Sequence, residues 1–184
     1  QVSTNSPSEV VHKAEAVGLK PDTAYFFRVG DEALNLWSGT GSFETAADGA
    51  FTFIDLADSQ AKTEDEAKLA AHTFRKAAET VEDADFLVVN GDLVDTGMNE
   101  AQWDWLLGAA QDTLLDTTLV PAAGNHDEDK NSFIEHFNLI PAPFSATETG
   151  AYYSFDYSNA HLIVLNTNED SKEYADFTPP RSNG

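Results

Sequence analysis

The stretch "FIDLADSQAKTEDEAKLAA", residues 53–71, changes character in its middle. An apolar run over residues 51–57 has the length and composition of a strand buried on both faces of a parallel sheet. A helix is predicted from Thr63, because Thr63 and Glu66 have the spacing of a capping box. The polar triplet Asp58-Ser59-Gln60 separates the two elements. Such a triplet is usually a turn. Whether it is also part of a functional site depends on the residues that follow the other strands.

The alternation of strand and helix continues downstream. Apolar strands are predicted at residues 86–90 and 119–123, and amphipathic helical patterns come after the first two strands. This order is typical of an α/β domain with a parallel sheet. The remaining predicted elements are a short helix around Asn131 to Phe137, a β-hairpin with its turn at Ser158-Asn159, and a loop over the last residues, 178–184.

The N-terminal quarter has a different pattern. Residues 8–46 are predicted to form short strands, and no helical periodicity is present. One candidate strand includes Val10, Val11 and residues 14–17. Residues 47–50 are predicted to be a linker. We therefore divide the chain into an N-terminal β module, residues 1–47, and an α/β domain, residues 48–184.

The composition excludes several classes of partner. Thirty-two acidic residues stand against 10 lysines and arginines, so the net charge is -22. This field disfavours binding to nucleic acid and to anionic membrane surfaces. The chain has no cysteine, which excludes disulfides and thiolate sites, and no apolar run of membrane-spanning length. An anionic substrate would need a local cation to offset the charge, which favours a metal site.

All three predicted strands of the α/β domain end in polar side chains. These blocks are "DSQ" (58–60), "NGDLVD" (90–95) and "GNHD" (124–127). The carboxyl ends of parallel strands meet at one edge of a sheet, where open α/β folds bind their ligands. Aspartate, asparagine and glutamine supply oxygen donors for hard cations, and histidine supplies a nitrogen or acid-base chemistry. The three blocks together therefore predict a site.

In this order the blocks "ADSQ", "NGDLVD" and "GNHD" resemble the first three signature blocks of the calcineurin-like metallophosphoesterases. The resemblance implies a β-sandwich flanked by helices, of which this chain holds a part. Residues 12–46, with Leu19, Pro21 and Tyr25, resemble the last three strands of a fibronectin type III-like domain. That module followed by a phosphoesterase is the arrangement of purple acid phosphatases and their bacterial relatives.

The resemblance implies a metal ligand set. Asp58 would bind a first metal ion, Asp92 would bridge two ions, and Asn125 would bind the second. Gln60 stands where the family usually has a histidine ligand, so its amide is a candidate for the same role. Two divalent or trivalent ions are expected as cofactors, drawn from iron, manganese, zinc, magnesium and calcium. Such a pair activates water and holds a phosphoryl oxygen.

The resemblance also implies catalytic roles. His126 would face the substrate and protonate the leaving group or stabilise the transition state, with Asp95 beside it in the catalytic set. Asp95 and Asp127 would orient His126 or the ligands. In purple acid phosphatases proper, a tyrosine that colours the iron stands at the position of Asp95. The absence of this tyrosine argues against a purple iron enzyme.

The leading expectation is a secreted or cell-surface enzyme acting on a small phosphate mono- or diester. The family's later histidine blocks are absent, so we expect this chain to be a fragment, with a C-terminal fragment of the same protein as a possible partner. The alternative is a non-catalytic binding or adhesion module with a degenerate phosphoesterase domain. Gln60 and the missing histidines favour this alternative, whereas the intact "GDLVD" and "GNHD" blocks argue against it.

Overall fold

The computed structural model describes residues 2–3, 10–127, 132–139 and 152–168. The N-terminal part contains strands β1 (Val2–Ser3), β2 (Val10–Val11), β3 (Ala24–Phe27), β4 (Gly30–Asp31), β5 (Leu36–Trp37) and β6 (Gly41–Glu44). The remainder contains β7 (Phe53–Leu56), α1 (Glu64–Thr80), β8 (Phe86–Asn90), α2 (Glu100–Leu114), β9 (Thr118–Ala122), α3 (Ser132–His136), β10 (Tyr153–Tyr157) and β11 (Ala160–Val164). The predicted mixed α/β class is confirmed.

A three-stranded parallel sheet is the centre of the domain. Its strands lie in the order β7-β8-β9, so each helix crosses over to the neighbouring strand. Crossovers of one hand that step in one direction place their helices on the same face. Helices α1 and α2 accordingly pack against each other. Their contact surrounds a core that includes Leu87, Val89 and the fully buried Trp103.

The β10–β11 hairpin lies against the other face of the sheet. The ring of Phe86 contacts Phe155 and Tyr157 at centroid distances of 6.0 and 5.2 Å. The Tyr153 hydroxyl donates to the Pro121 carbonyl at 2.8 Å. Pro121 has no N–H group, so it fits β9, which pairs only with β8 and is an edge strand in the described part of the chain. The hairpin turn at residues 158–159 lies where the sequence predicted it.

The N-terminal strands form small antiparallel sheets, with β3 paired to β6 and β4 to β5. This part contacts the end of α2, because the Ser42 N–H donates to the Leu115 carbonyl at 2.9 Å. It also reaches α3, because Lys13 Nζ donates to the carbonyls of Ile134 and Phe137 at 2.5 and 2.7 Å. The predicted strand that includes Val10, Val11 and residues 14–17 is confirmed only at Val10–Val11, which form β2. Residues 14–17 are exposed and pair with no strand in the described chain.

The three strands of the parallel sheet begin and end within two residues of the bounds predicted from the sequence. The strand predicted at 86–90 is β8, whereas β7 is shorter than 51–57 and β9 lies one residue before 119–123. β7 also departs from the expected burial on both faces, since Phe53 and Asp55 are exposed. The predicted start of the third helix at Asn131 and the loop over 178–184 lie outside the described residues.

The capping box of α1 is formed as predicted. The Thr63 hydroxyl accepts from the Glu66 N–H, and the Glu66 carboxylate accepts from the Thr63 N–H. We expect Thr63→Ala to lower the free energy of unfolding by about 1 kcal/mol, because the Glu66 N–H loses its side-chain acceptor. Urea denaturation measures the change. Thr73→Ala, on an exposed turn of the same helix, is the control, and an equal loss there would contradict the assignment to capping.

Candidate active site

The loops after β7 and β8 are joined by backbone hydrogen bonds. The Asp58 N–H donates to the Gly91 carbonyl at 3.1 Å, and the Gln60 N–H donates to the Asp92 carbonyl at 2.6 Å. A parallel bridge between Ala61 and Val94 continues the pairing beyond the strands. The first two polar blocks are therefore held in register with each other by the main chain, independently of their side chains.

Three candidate residues in these loops have left-handed backbones. The φ angles are 54° at Asp58, 41° at Gln60 and 53° at Asp92, and Gly91 has 89°. Non-glycine residues adopt this region at a cost of about 1–2 kcal/mol each. Such a cost persists where the surrounding structure dictates the conformation, and it occurs preferentially at functional sites. The left-handed turns bend the chain sharply at the carboxyl edge of the sheet.

The third loop approaches the second very closely. A Cβ atom added at Gly124 would lie 2.0 Å from Asp92 Oδ1 and 2.2 Å from the Asp92 N atom. No side chain fits at that distance, so this backbone contact requires glycine. Gly124 thereby allows the loop after β9 to reach Asp92, and the His126 N–H donates to Asp92 Oδ1 at 3.0 Å.

Asp58, Asp92 and Asn125 line one open cleft of about 580 Å³. The cleft lies between the sheet face that carries Asp55 and Val88 and the strand β11. The structure therefore brings together three of the predicted metal ligands, one from each strand end. Gln60 is not among the residues that line this cleft.

Thr167 and Asn168 also line this cleft. They come after β11 in the segment "LNTN", so a fourth strand end opens onto the site. The Asn168 amide lies 3.5 Å from the Ala123 carbonyl, at the limit of a hydrogen bond. Sequence reasoning identified the hairpin but missed these residues. The available signal was again an apolar strand that ends in polar side chains.

The donor chemistry of the cleft suits a hard cation. Two carboxylates and one amide oxygen are the ligand types that magnesium, calcium and manganese prefer. Within the described ranges, no three histidine, cysteine, aspartate or glutamate side chains converge as a group able to hold a metal ion. Asp58, Asp92 and Asn125 share the cleft, and their oxygens are of the donor types that a hard cation takes.

His126 is held by hydrogen bonds at both ring nitrogens. Nδ1 lies 2.7 Å from the Asp95 carbonyl oxygen, and Nε2 lies 2.9 Å from the Gln60 amide nitrogen. The hydrogen bond to the Asp95 carbonyl is the main cause that raises the pKa of His126, and the negative charge of Asp92 adds to it. The raised pKa increases the fraction of imidazolium, the form that can give a proton to a leaving group.

The Asp95 carboxylate has a different partner from its carbonyl. Asp95 Oδ2 pairs with Lys62 Nζ at 3.0 Å, and Oδ1 lies 3.9 Å from His126 Nδ1. The hydrogen bond from Lys62 lowers the pKa of Asp95. Asp95 thus contacts His126 mainly through the main chain, and Lys62 is a neighbour that sequence reasoning did not include.

Asp127 connects the loops after β8 and β9 through its buried side chain. Its side chain is fully buried, with Oδ1 accepting from the Val94 N–H and Oδ2 from the Gly124 N–H, both at 3.0 Å. Burial raises the pKa of Asp127 to about 6. Asp127 thus touches the loops that carry Asp92 and Asn125, and its role in orienting other residues stays a prediction.

The raised pKa of Asp127 predicts a pH-dependent stability. The folded state binds the proton more tightly than the unfolded state, whose pKa is near 3.8. The stabilisation from the protonated form is therefore present at low pH and is lost as the pH rises towards and through about 6. We expect the stability of wild type relative to Asp127→Asn to fall by about 2 kcal/mol between pH 4 and pH 7, since one pKa unit corresponds to roughly 1.4 kcal/mol and part of the change lies outside this range.

Urea denaturation of both proteins across this pH range measures the difference. Asp112→Asn, on an exposed turn of α2, is the matched control and removes a carboxylate that is not buried. A constant difference between wild type and Asp127→Asn would contradict the prediction.

Comparison with known families adds to this geometry. A family model for calcineurin-like phosphoesterases matches residues 55–178, which include all three polar blocks. The chain belongs to the calcineurin-like phosphoesterase family. A second model, for the N-terminal domain of purple acid phosphatases, matches residues 1–45. As a calcineurin-like phosphoesterase, the chain falls within a family of phosphoric ester hydrolases.

The fold is also similar to a solved structure. Purple acid phosphatase PPD1 from yellow lupin (Lupinus luteus) seeds superimposes with a TM-score of 0.60 at 17% sequence identity. The match covers 86% of this chain and 34% of the lupin chain, so this calcineurin-like phosphoesterase spans about a third of that protein's length. A comparison with curated protein sequences gave no significant match. Across the described residues, no helix is long and apolar enough to cross a bilayer.

Proposed function

We propose that the full-length protein hydrolyses phosphate mono- or diesters with the help of two bound metal ions. One observation carries the proposal: Asp58, Asp92 and Asn125, each from a different strand end, line a single cleft. Family membership supports the reaction class. The oxygen donors are suited to a cation. A cation in the cleft would offset the repulsion between this acidic chain and an anionic substrate.

Each residue has a role in this proposal. Asp58, Asp92 and Asn125 would hold the metal ions, and the ions would supply Lewis-acid stabilisation of the phosphoryl oxygens. As a water oxygen forms its bond to phosphorus and the ester P–O bond breaks, His126 gives its proton to the leaving-group oxygen, so that the alcohol departs neutral. The proton released by the attacking water then restores His126. The Asp95 carbonyl holds the His126 ring, and Asp127 holds the two loops together.

The test is an assay of full-length protein that has been stripped of metal and then reloaded. Purified protein is dialysed against chelator, supplied separately with Mg²⁺, Mn²⁺, Zn²⁺, Ca²⁺ or Fe²⁺, and assayed with p-nitrophenyl phosphate and bis-p-nitrophenyl phosphate. Hydrolysis that depends on the added ion supports the proposal and identifies the metal. Stoichiometry by elemental analysis separates one ion from two.

The contrary result is equally informative. Protein that binds none of these ions and hydrolyses neither ester would favour the non-catalytic binding or adhesion module. The proposal also places the protein outside the cell, supported by the acidic composition and the resemblance to purple acid phosphatases. Fractionation of producing cells into medium, surface and cytosol tests this location.

A further inference from the structure

We propose that Gln60 is a positioning residue that holds the imidazole of His126 in one orientation and one tautomer. The inference rests on the proposed function, because it assigns a purpose to a residue beside the proposed proton donor. It departs from the expectation that the Gln60 amide replaces the histidine ligand of the family.

The hydrogen bonds of His126 define the tautomer. A carbonyl oxygen can only accept, so the neutral ring carries its proton on Nδ1, which lies 2.7 Å from the Asp95 oxygen. Nε2 then has a free lone pair, and the Gln60 amide nitrogen at 2.9 Å is its donor. The two partners approach from opposite sides of the ring, so together they determine its plane as well as its tautomer.

The main chain gives Gln60 a defined starting point for this contact. Its N–H donates to the Asp92 carbonyl, and the N–H of the next residue, Ala61, donates to Leu93 at 3.1 Å. Asp58, two residues earlier, lines the cleft, whereas neither Gln60 nor His126 does. The polar end of the Gln60 side chain is directed to His126, since its amide nitrogen lies 2.9 Å from Nε2.

The arrangement gives both ring nitrogens a partner. Nδ1–H donates to a main-chain carbonyl, and Nε2 faces the Gln60 amide. An amide suits this place because it is neutral and can present either its nitrogen or its oxygen to Nε2. A carboxylate at position 60 would only accept, and it would draw the proton of the neutral ring to Nε2.

Nitrogen NMR of the metal-free chain tests the inference without any assay of activity. Long-range ¹H–¹⁵N spectra distinguish protonated from unprotonated ring nitrogens, and His126→Asn identifies the His126 signals. In wild type with a neutral ring we expect a protonated Nδ1 and an unprotonated, hydrogen-bonded Nε2. Gln60→Leu should move the Nε2 signal downfield, and Gln60→Glu should give a protonated Nε2.

A matched control and two contrary outcomes complete the experiment. Ser59→Ala alters the same loop, but its hydroxyl bonds the Leu93 carbonyl, so the His126 signals should not change. A wild-type ring protonated on Nε2 would overturn the proposal. So would His126 signals in Gln60→Leu that equal those of wild type.

Kinetics of the full-length protein give an independent measurement. Gln60→Leu should lower kcat for an alkyl phosphate by about 100-fold, with KM little changed, because misplacing a catalytic group costs about this much. The loss should be about tenfold smaller for p-nitrophenyl phosphate, whose leaving group needs less protonation. Equal losses on both esters would overturn the proposal. Absence of all hydrolysis would instead refute the proposed function, and the spectra would still decide the role of Gln60.

Discussion

Gly124→Ala is expected to destabilise the protein by about 2–3 kcal/mol and to abolish metal binding in the cleft. The added methyl group would lie 2.0 Å from Asp92 Oδ1 and 2.2 Å from the Asp92 main-chain nitrogen. The second of these atoms belongs to the backbone and cannot be relieved by a rotamer change. The loop after β9 would therefore have to move away from the loop after β8, taking Asn125 and His126 with it.

Gly108→Ala is the matched control for this prediction. Gly108 lies in the middle of α2, and a Cβ atom there would meet nothing within 4 Å. Alanine is the better helix former, so this change should stabilise the protein by about 0.5–1 kcal/mol. Urea denaturation and binding titrations with Mg²⁺ and Mn²⁺ measure both variants. Wild-type stability and metal affinity in Gly124→Ala would show that the close contact is not required.

Asp92→Asn is expected to lower the turnover of the full-length protein by about 10²–10³-fold, as loss of one preorganised charge-stabilising group typically does. The substitution keeps the size of the side chain and removes its charge. Asp92 Oδ1 accepts the His126 N–H, a bond that an amide oxygen can also accept, so the fold of the loop should survive. The expected loss therefore arises from a weakened metal site.

Steady-state kinetics and metal titration of the same preparation measure these effects. Asp112→Asn makes the same chemical change on an exposed turn of α2 and should leave both quantities unaltered. Thermal unfolding should show less than about 1 kcal/mol of difference between the two variants, since surface and isosteric changes are mild. Full activity in Asp92→Asn would remove Asp92 from the site.

The sequence predicted the α/β part of the fold well, because its signals are local. β8 is a continuous apolar run between polar residues, and its bounds agree at both ends. The capping box of α1 needs only two residues three positions apart, and it is formed. Asn99 and Gln102 have a similar spacing, yet Asn99 makes no side-chain capping bond. Gln102 instead accepts from the Thr96 N–H at 2.7 Å. This contact depends on the path of the preceding loop, which the spacing of two residues does not reveal.

The residues of the candidate site were predictable, but their partners were not. Strand ends identify Asp58, Asp92 and Asn125, because parallel strands align their carboxyl ends whatever the loops do. The contact between Gln60 and His126 depends on two side chains that are 66 positions apart. The entry of Asn168 into the cleft depends on how the hairpin lies on the sheet. Such contacts arise from tertiary packing and leave no periodic pattern in the chain.

The left-handed backbone at Gln60 has a consequence for protein engineering. Glycine adopts that conformation without steric strain, so Gln60→Gly relieves strain and also removes the hydrogen bond to His126. The same holds for Asp58→Gly and Asp92→Gly, which exchange a carboxylate of the proposed metal site for an unstrained turn. Selection of random variants for heat resistance alone should therefore accumulate changes at these three positions. Thermostable survivors would be inactive, because stability and activity conflict at the same backbone angles.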